Sequence, residues 1–425
     1  MSKHKEIPRM DAMIDGSDGI VAKFAELVKQ MHSEFAALEG PHRAKILEER
    51  IKDEGRKIQL LLLQDCLQAG IEHSQEKLRQ CNCGKKRKHC GSRPRWLVSS
   101  LGVIRLWGIY WQCEYCGESA HGVDLASEER LSGVLKELVL LVGVSTGSFD
   151  KAELLAEKML GVRVDDDAIR RFCEAEGQKA VSQPPKLEPA EPGQPIWGSC
   201  DGTMVNTREE GWKEVRAARF SHAGGEFATA AWETSGKFVP RMAQMARMLT
   251  PVNHGTLMFA SDLAEWITRG VGQHLPGWIH MADRWHVRQH ITPVAEELYG
   301  KGDKNAEDFR EYFGAELMCV GGAGLADELR GSALSYRDLG HQRTVLDLAK
   351  FFDKHADQMD YPRYIRAGLG MDSGPMESLC KQMGQRLKGP GMRWSLKNIS
   401  GMAYMVARWA VDPRRAVREG LAVAA

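Results

Sequence analysis

The order of predicted strands and helices between residues 196 and 299 constrains the fold of this chain more than any other feature. Three strand-like stretches follow one another directly, and two strand–helix pairs come after them. A strand meander followed by strand–helix repeats predicts a mixed α/β sheet of five strands. The predicted strands cover residues 196–206, 211–222, 227–234, 256–261 and 277–283.

Two acidic residues occupy the first and fourth of these strands. Asp201 lies within the first strand, and Asp262 directly follows the fourth. The element order is that of the ribonuclease H fold, in which these two strands are neighbours, so the two carboxylates should converge. Asp201 followed by glycine is also a hairpin signal, although residues 211–222 make a better second strand. Asp262 and Glu265 have the spacing of a helix-capping box, which is the alternative for Asp262.

A third acid, Glu377, falls in the first turn of a helix that Gly374-Pro375 is predicted to start. Its alternative role is a favourable interaction with the helix N-terminus. Residues 300–366 are mostly helical and predict an insertion into the sheet domain. Three carboxylates would suit two Mg²⁺ ions about 4 Å apart, the arrangement that phosphodiester cleavage uses.

Two cysteine pairs bracket two short strand-like runs between residues 81 and 116. This is the outline of a zinc ribbon, in which two knuckles close on one tetrahedral ion. The first pair has the less usual C-x-C spacing, so Cys90 or His89 could replace one ligand. The predicted ligands of a structural Zn²⁺ are Cys81, Cys83, Cys113 and Cys116.

Two further regions show helical periodicity. Residues 17–75 predict a helical pair that serves packing or dimerisation. Residues 126–182 predict a helix-turn-helix outline, with Asp165 or Asp166 as the cap of the second helix, and simple packing is the alternative. Residues 183–195 are rich in proline and glutamate and read as a linker.

Basic residues near these motifs are candidates for contact with DNA phosphates. The net charge of +1 gives no overall signal for a polyanion partner, so such contacts must come from local patches. Solvated charge runs are the alternative. The candidates are Lys85, Lys86, Arg87, Lys88, Arg163, Arg170, Arg171, Arg386, Lys388 and Arg393.

Composition places the chain among ordinary soluble proteins, with 43% apolar and 27% charged residues. The first residues lack the apolar core of a signal peptide, and the apolar run at 138–144 is too short to span a bilayer. We therefore expect a cytoplasmic protein with no membrane partner. In that compartment its ten cysteines should be thiols or metal ligands.

The chain resembles DDE transposases of bacterial insertion sequences, in particular the ISKra-type family, and more distantly the Mutator-type transposases. The resemblance covers about residues 60–410. It rests on DGTMV with the following Trp212, Glu214 and Arg216, on SDLAEWI, on DRWH at 283–286, and on MES and RLKGPGMRWS at 376–395.

The resemblance implies a catalytic triad of Asp201, Asp262 and Glu377 that holds two Mg²⁺ ions, for which Mn²⁺ can substitute. The implied reaction is cleavage of double-stranded DNA at the element ends, followed by attack of the freed 3′-hydroxyl on target DNA. A homodimer or higher oligomer on DNA is also implied, as is association with the nucleoid. The alternative is a transposase-derived DNA-binding protein that has lost catalysis.

One departure from the family pattern concerns the second acid. Many relatives have glycine after it, whereas Leu263 follows Asp262 here, so Asp283 is a rival. Asp283 would end a strand about 4.8 Å further sideways, which favours Asp262. Asp283 and His286 are predicted to support the metal ligands or to position DNA, with a structural hydrogen bond as the alternative.

These observations predict seven segments. An N-terminal helical region, a zinc-ribbon-like domain, a helix-turn-helix-like domain and the linker precede a ribonuclease H-like catalytic domain, which carries the helical insertion and ends in a short tail. Their bounds are 1–78, 79–125, 126–182, 183–195, 196–299 with 367–410, 300–366 and 411–425.

Overall fold

The computed structural model describes residues 16–37, 39–123, 130–182, 187–370 and 373–419. Parts of the predicted N-terminal region, linker and tail lie outside the described residues, as do residues 124–129 at the predicted boundary near residue 125. The contacts separate two compact units. One comprises Met1–Val139 and Glu153–Asp165, and the other comprises Leu140–Ala152 and Asp166–Ala425.

The first unit begins with the helical pair that the sequence predicts. Helix α1 covers Gly16–Ala37 and helix α2 covers Arg43–Gln75, followed by a 3-10 turn at Glu76–Arg79. The two helices pack against each other.

A β-hairpin follows the helical pair. Strands β1 (Lys88–Ser99) and β2 (Gly102–Gln112) are antiparallel, and the short strand β3 (Ser119–His121) pairs with the end of β2. The hairpin buries one face against α2. Its core contains Leu97, Ile104 and Leu106 of the strands with Leu60 and Leu63 of the helix.

Glutamine side chains of α2 occupy the part of the outer edge of β2 that β3 does not pair with. The side-chain oxygens of Gln64 and Gln68 accept hydrogen bonds from the backbone N–H groups of Arg105 (3.2 Å) and Trp107 (2.9 Å). The Gln68 amide also donates to the Trp107 carbonyl at 3.0 Å. Four helical residues rise about 6 Å and two strand residues about 6.7 Å, so the two spacings match. The helix thus replaces a neighbouring strand.

The region predicted as helix-turn-helix contains three helices. These are α3 (Gly133–Ser145), α4 (Phe149–Leu160) and α5 (Asp166–Ser182). The described part of the predicted linker, residues 187–195, is irregular but is hydrogen-bonded within the second unit. Ala190 N–H donates to the Leu249 carbonyl at 2.9 Å, and Gly193 N–H donates to Asn253 at 2.7 Å. This part is therefore not a free spacer.

The second unit contains the predicted mixed sheet of five strands. The strands are β4 (Ile196–Thr207), β5 (Gly211–His222), β6 (Gly225–Ala231), β7 (Leu257–Ser261) and β8 (Ile279–Ala282). Their spatial order is β6-β5-β4-β7-β8. The first three strands form an antiparallel meander, and β7 and β8 run parallel to β4.

The Asp-Gly pair at 201–202 is not a hairpin turn. Strand β4 continues through it, with Asp201 opposite Ala217 and Gly202 opposite Arg216. The chain reverses later, at residues 208–210. A side chain on Gly202 would collide with the carboxylate of Glu214 on β5, so the glycine makes room for that acid.

Helices cover both faces of the sheet. Helices α6 (Ser235–Leu249) and α7 (Glu265–His274) share a core with Phe220 and Phe259 of the strands. On the other face, Met258 and Met281 pack with four further helices, so the predicted insertion shares its core with the sheet. These helices are α8 (Arg284–Tyr299), α9 (Lys304–Ala333), α10 (Leu339–Lys354) and α11 (Tyr361–Arg366).

Three helices end the described chain. Helix α12 (Gly374–Leu387) begins at the predicted Gly-Pro start and packs against β4, and α13 (Leu396–Val411) and α14 (Pro413–Glu419) follow. Helix α5 crosses α13 at two glycines, because a Cβ on Gly177 would lie 2.7 Å from the Gly401 carbonyl carbon. None of the helices within the described ranges has the length and apolar content that a bilayer span requires.

Candidate functional site

The sheet brings Asp201 and Asp262 side by side. The parallel pairing of β4 with β7 aligns Ser199 with Ala260, and the two acids stand two residues beyond this pair. Alternate residues of a strand share a face, so Asp201 lies on the face of β4 that carries Trp197, and Asp262 directly follows the last residue of β7. Both acids are half-buried. The predicted convergence of the first and fourth strands is present in the second unit.

Helix α12 carries Glu377 and Cys380 against the same strand. Glu377 is exposed in the first turn and forms an ion pair with Lys381 at 2.8 Å. Cys380 stands one turn later, and its thiol lies close enough to Asp201 to affect the pKa of that carboxyl group. Burial raises the pKa of the Cys380 thiol, and the negative charges of Asp201 and Glu377 raise it further. The charges of Glu377 and Asp201 therefore both act on the same buried thiol.

The environment of Asp201 raises the pKa of its carboxyl group. Burial is the largest cause, and the negative charge of Asp262 adds to it. A hydrogen bond from Gly202 N–H at 2.6 Å, the Cys380 thiol and the nearby His286 act in the opposite direction. A cation bound between the two carboxylates would offset both the cost of burying their negative charge and the repulsion between them, because it supplies an opposite charge.

The three acids do not form a closed set of ligands in this structure. Among the described residues, only the four cysteines of the first unit bring three or more potential ligand atoms within 4.8 Å of one another. The ion pair with Lys381 also engages the Glu377 carboxylate. Asp201 and Asp262 are thus placed by the sheet, whereas Glu377 would have to turn towards them to complete a ligand set.

Asp262 is not the cap of the following helix. The residue at the cap position of α7 is Ala264, and Asp262 accepts one hydrogen bond from its backbone N–H at 3.0 Å. Leu263 between them has a φ of 67° and is the one described non-glycine residue with a positive φ. This left-handed conformation favours glycine, so the buried leucine is strained at the position where the resemblance expects glycine.

Asp283 uses both carboxylate oxygens in structural hydrogen bonds. One oxygen accepts from the backbone N–H groups of Trp285 (2.7 Å) and His286 (3.1 Å), which caps helix α8. The other accepts from Ser373 N–H and Ser373 Oγ, each at 2.5 Å. Asp283 is only 3% exposed. This arrangement favours the structural alternative over the rival metal-ligand role, and the supporting role of His286 near Asp201 stays a prediction.

The four predicted zinc ligands form one compact group that could hold a metal ion such as zinc. The sulfur atoms of Cys81 and Cys116 are 3.5 Å apart, and those of Cys83 and Cys113 are 3.6 Å apart. Four sulfurs at 2.3 Å from one ion would be about 3.8 Å apart, so the spacing suits tetrahedral Zn²⁺.

The two alternative ligands lie outside this group. The Cys90 thiol points to the Lys88 carbonyl at 3.5 Å, and the His89 ring packs edge-on against Trp111. The Glu118 carboxylate lies closer to the group and contacts Cys81 Sγ at 3.1 Å. The sequence did not suggest this residue. Its position two residues after Cys116 was the available signal.

Two of the residues predicted to contact DNA are buried, so these two predictions are wrong. The first is Arg87. It is 7% exposed and donates to the carbonyls of Leu78 and Gln80, both at 2.8 Å. It also forms an ion pair with Glu118 at 3.1 Å. Arg87 therefore braces the cysteine group from inside, whereas Lys85, Lys86 and Lys88 remain exposed.

Arg386 is the second correction. It is 3% exposed and donates to the Gly143 carbonyl at 2.9 Å. Its guanidinium lies 4.4 Å from the Phe149 ring centre and 5.3 Å from that of Trp394. Burial lowers the pKa of Arg386 to about 10. An arginine in this position stabilises packing and has no access to DNA, whereas Lys388 and Arg393 are exposed.

The three arginines of the predicted helix-turn-helix have acidic partners. Arg163 pairs with Glu153 at 2.8 Å, and Arg171 pairs with Asp167 at 3.0 Å. Arg170 pairs with Glu174 at 2.8 Å and also with Asp167. Their contact with DNA stays a prediction, and it would require exchange of these partners for phosphates.

The residues after the DGTMV motif form a structural network on β5. Arg216 forms an ion pair with Glu214 and donates to the Glu233 carbonyl. Its guanidinium also lies 5.0 Å from the Trp266 ring centre.

Cys380 is the site residue that the sequence did not suggest. Its spacing of three residues from Glu377 places both on one helical face, and that was the available signal.

Comparison with models of protein families and with curated proteins finds no match for this chain.

Proposed function

We propose that this protein is a DDE-type transposase that cuts DNA at the ends of an insertion sequence and joins them to target DNA. The observation that carries the proposal is the placement of Asp201 and Asp262 on adjacent parallel strands, with the Glu377 helix packed on the same strand. The motifs that resemble ISKra-type transposases include all three of these acids.

The fold proposed for the sheet unit is ribonuclease H-like. Three antiparallel strands followed by two parallel ones, in the order β6-β5-β4-β7-β8, support this assignment. The helical segment between β8 and α12 stands where the resemblance places an insertion before the last acid. The strand order also explains why two acids that are distant in sequence become neighbours.

In the proposed reaction, water attacks a backbone phosphorus and the 3′-oxygen leaves, which frees a 3′-hydroxyl. That hydroxyl loses its proton and attacks a phosphorus of the target DNA, and the 3′-oxygen of the target strand leaves and takes up a proton. Asp201, Asp262 and Glu377 would hold two Mg²⁺ ions, and such ions activate the nucleophile and stabilise the leaving oxygen. The hard oxygen donors and the raised pKa of Asp201 fit a divalent cation. Glu377 would exchange Lys381 for the metal.

The exposed basic residues supply the proposed contacts with DNA. Lys85, Lys86 and Lys88 lie beside the cysteine group, and Lys388 and Arg393 lie just beyond the Glu377 helix. We propose that the cysteine group binds a structural Zn²⁺ and that this group presents its lysines to phosphate. Each phosphate neutralised should steepen the salt dependence of binding.

The test uses a DNA fragment that carries the gene's own flanking sequence. Purified protein, Mg²⁺ and the labelled fragment are incubated, and strand breaks are mapped at single-nucleotide resolution. We expect breaks at the element boundary with the wild type. Asp201→Asn should lower cleavage by at least about a thousandfold, the scale on which removal of a catalytic group acts, with DNA binding nearly unchanged.

The matched control is Glu265→Gln, which removes a carboxylate from the same region. Glu265 is exposed and forms only a surface ion pair with Arg269. This variant should cut like the wild type. Cleavage by Asp201→Asn at the wild-type rate would refute the proposed role of Asp201.

A second candidate function is a DNA-binding protein that has lost catalysis. The ion pair between Glu377 and Lys381 favours it, because this contact occupies the third carboxylate. Tight binding to the element ends without any break in Mg²⁺ or Mn²⁺ would support this candidate over the transposase.

A further inference from the structure

The face of the β1–β2 hairpin opposite to its core with α2 carries two tryptophans and an arginine. Trp96 stands opposite Arg105, and Pro94 stands opposite Trp107. Residues paired across two strands share one face of the sheet, and so do alternate residues along a strand. These four side chains therefore lie together on one face, and we call them the hairpin platform.

Arg105 forms the centre of this platform. Its guanidinium carbon lies 4.3 Å from the Trp107 ring centre and 5.4 Å from that of Trp96. Its Nε is buried without a hydrogen-bond partner, and among the described residues no carboxylate forms an ion pair with it. Aromatic ring faces attract a cation but do not neutralise it. The platform therefore combines flat aromatic surface with a positive charge that has no counter-ion in the described chain.

The platform is accessible at Trp96, which is 53% exposed. Pro94 beside it is exposed, and Arg105 and Trp107 are half-buried. A tryptophan side chain has only two torsions, and the contact with Arg105 restricts them further. The exposed indole would therefore lose little conformational entropy when a ligand stacks on it.

The charge around the platform favours an anionic ligand. Residues 77–113 contain nine lysines and arginines and no aspartate or glutamate, although the whole chain has a net charge of only +1. Two of these basic residues, Lys88 and Arg87, pair with Glu114 and Glu118 beside the cysteine group. A segment with this excess of one charge sign attracts a polyanion.

We propose that the hairpin platform binds single-stranded DNA by stacking unpaired bases on its tryptophans, with a phosphate beside Arg105. Proteins that bind single strands combine a basic surface with exposed aromatic rings, and every base has a π face that can stack on such a ring. A duplex suits the platform poorly, because its bases are stacked on one another and present only their edges in the grooves.

The choice of DNA as the ligand rests on the proposed function, in which cleavage frees a 3′-ended strand whose bases can separate from their partners. The stacking itself requires neither Mg²⁺ nor the acids of the second unit. A binding measurement without cleavage therefore tests the platform separately from the transposase proposal.

The test measures by fluorescence anisotropy, without Mg²⁺, how tightly the full chain binds oligo-dT of about 20 nucleotides, longer than one site of this kind. Trp96→Ala should raise the Kd for this strand at least about fivefold, the lower end of the effect of removing a stacking ring. The Kd for the oligo-dT·oligo-dA duplex should stay unchanged. Trp96→Phe keeps a ring and should retain most of the affinity. The factor should be the same at low and high salt, because stacking releases no counterions.

Phe24→Ala is the matched control, because Phe24 lies on α1 outside the hairpin and is 54% exposed, almost as much as Trp96. It should bind oligo-dT like the wild type. Circular dichroism and urea unfolding report whether each variant is folded. If Trp96→Ala is unfolded, Trp96→Leu replaces it and should show the same loss, since leucine fills space without a flat ring.

Three results would overturn the proposal. The first is a folded Trp96 variant that binds oligo-dT as tightly as the wild type, which would mean that the face is not available to the strand. The second is an equal loss of affinity for the single strand and the duplex, which would indicate a general change of the surface. The third is tighter binding of oligo-U of the same length, which would make RNA the ligand instead of DNA.

Discussion

At the scale of single residues, hydrogen bonding distinguishes Asp201 from Asp283, two acids that the sequence presents as candidates for the site. Asp201 is half-buried beside Asp262 and the pKa of its carboxyl is raised, chiefly by burial. Burial would also raise the pKa of Asp283, but hydrogen bonds from Ser373, His286 and Trp285 outweigh it and lower that pKa. A carboxylate with all its acceptor sites occupied is a structural element, whereas Asp201 keeps capacity for a cation.

The low pKa of Asp283 predicts a pH-dependent contribution to stability. Because its pKa is lower in the folded state, the contribution is complete above the unfolded value of about 3.9 and is lost as pH falls through the folded value. Asp283→Asn replaces one acceptor oxygen with an NH2 donor, which then faces backbone N–H donors, and should lower the free energy of unfolding by roughly 1–3 kcal/mol at pH 7. The difference from the wild type should narrow below about pH 4.

Urea unfolding at several pH values checks this prediction. The matched control is Asp303→Asn at the exposed cap of α9, where asparagine caps as well as aspartate and little change is expected. A constant difference between the Asp283 variant and the wild type across the whole pH range would contradict the titration of Asp283.

At the scale of elements, the contact between α2 and β2 shows how a helix can protect a strand edge. Unpaired backbone groups on an edge strand are a hazard for aggregation. The side-chain amides of Gln64 and Gln68 satisfy these groups in β2, while Leu60 and Leu63 pack against the hairpin core. The hairpin and the helical pair should therefore be stable only together.

Removal of one glutamine tests this dependence. Gln68→Met keeps the length of the side chain but leaves both the N–H and the carbonyl of Trp107 without their partner. We expect a loss of about 1–3 kcal/mol in the free energy of unfolding of the first unit, measured by urea titration. Gln59→Met on the same helix is the control, since Gln59 is exposed. Equal stability of the two variants would show that the edge does not depend on Gln68.

At the scale of the whole molecule, the cysteine group and the acids belong to different compact units. A structural zinc site contributes directly to the stability of the fold around it. Removal of the metal should therefore affect the first unit and leave the core of the sheet intact.

Calorimetry with and without a strong chelator measures this separation. We expect the transition of the first unit to move to lower temperature and that of the second unit to stay in place. Cys113→Ser should act like the chelator, and Cys66→Ser should have no effect, because Cys66 is exposed outside the cysteine group. A zinc content near zero in the purified wild type would contradict the proposed metal.

The sequence by itself determined the local features of this protein. Strand periodicity predicted five strands in the observed order of appearance, Gly374-Pro375 predicted the start of α12, and cysteine spacing predicted the four clustered thiols. These features depend on neighbouring residues or on short spacings, so a single stretch of sequence contains the signal. Helix α13 was not among the predicted elements.

Only the tertiary structure decided which charged residues are buried and what they contact. Arg87 and Arg386 lie in basic runs that look solvated, yet Arg87 is buried against the carbonyls of Leu78 and Gln80, and Arg386 against that of Gly143. In the sequence Asp283 resembles a site acid, but in the fold its second carboxylate oxygen accepts hydrogen bonds from Ser373, which is 90 residues away. Burial and hydrogen bonding depend on residues that only the fold brings together, and no local pattern reports them.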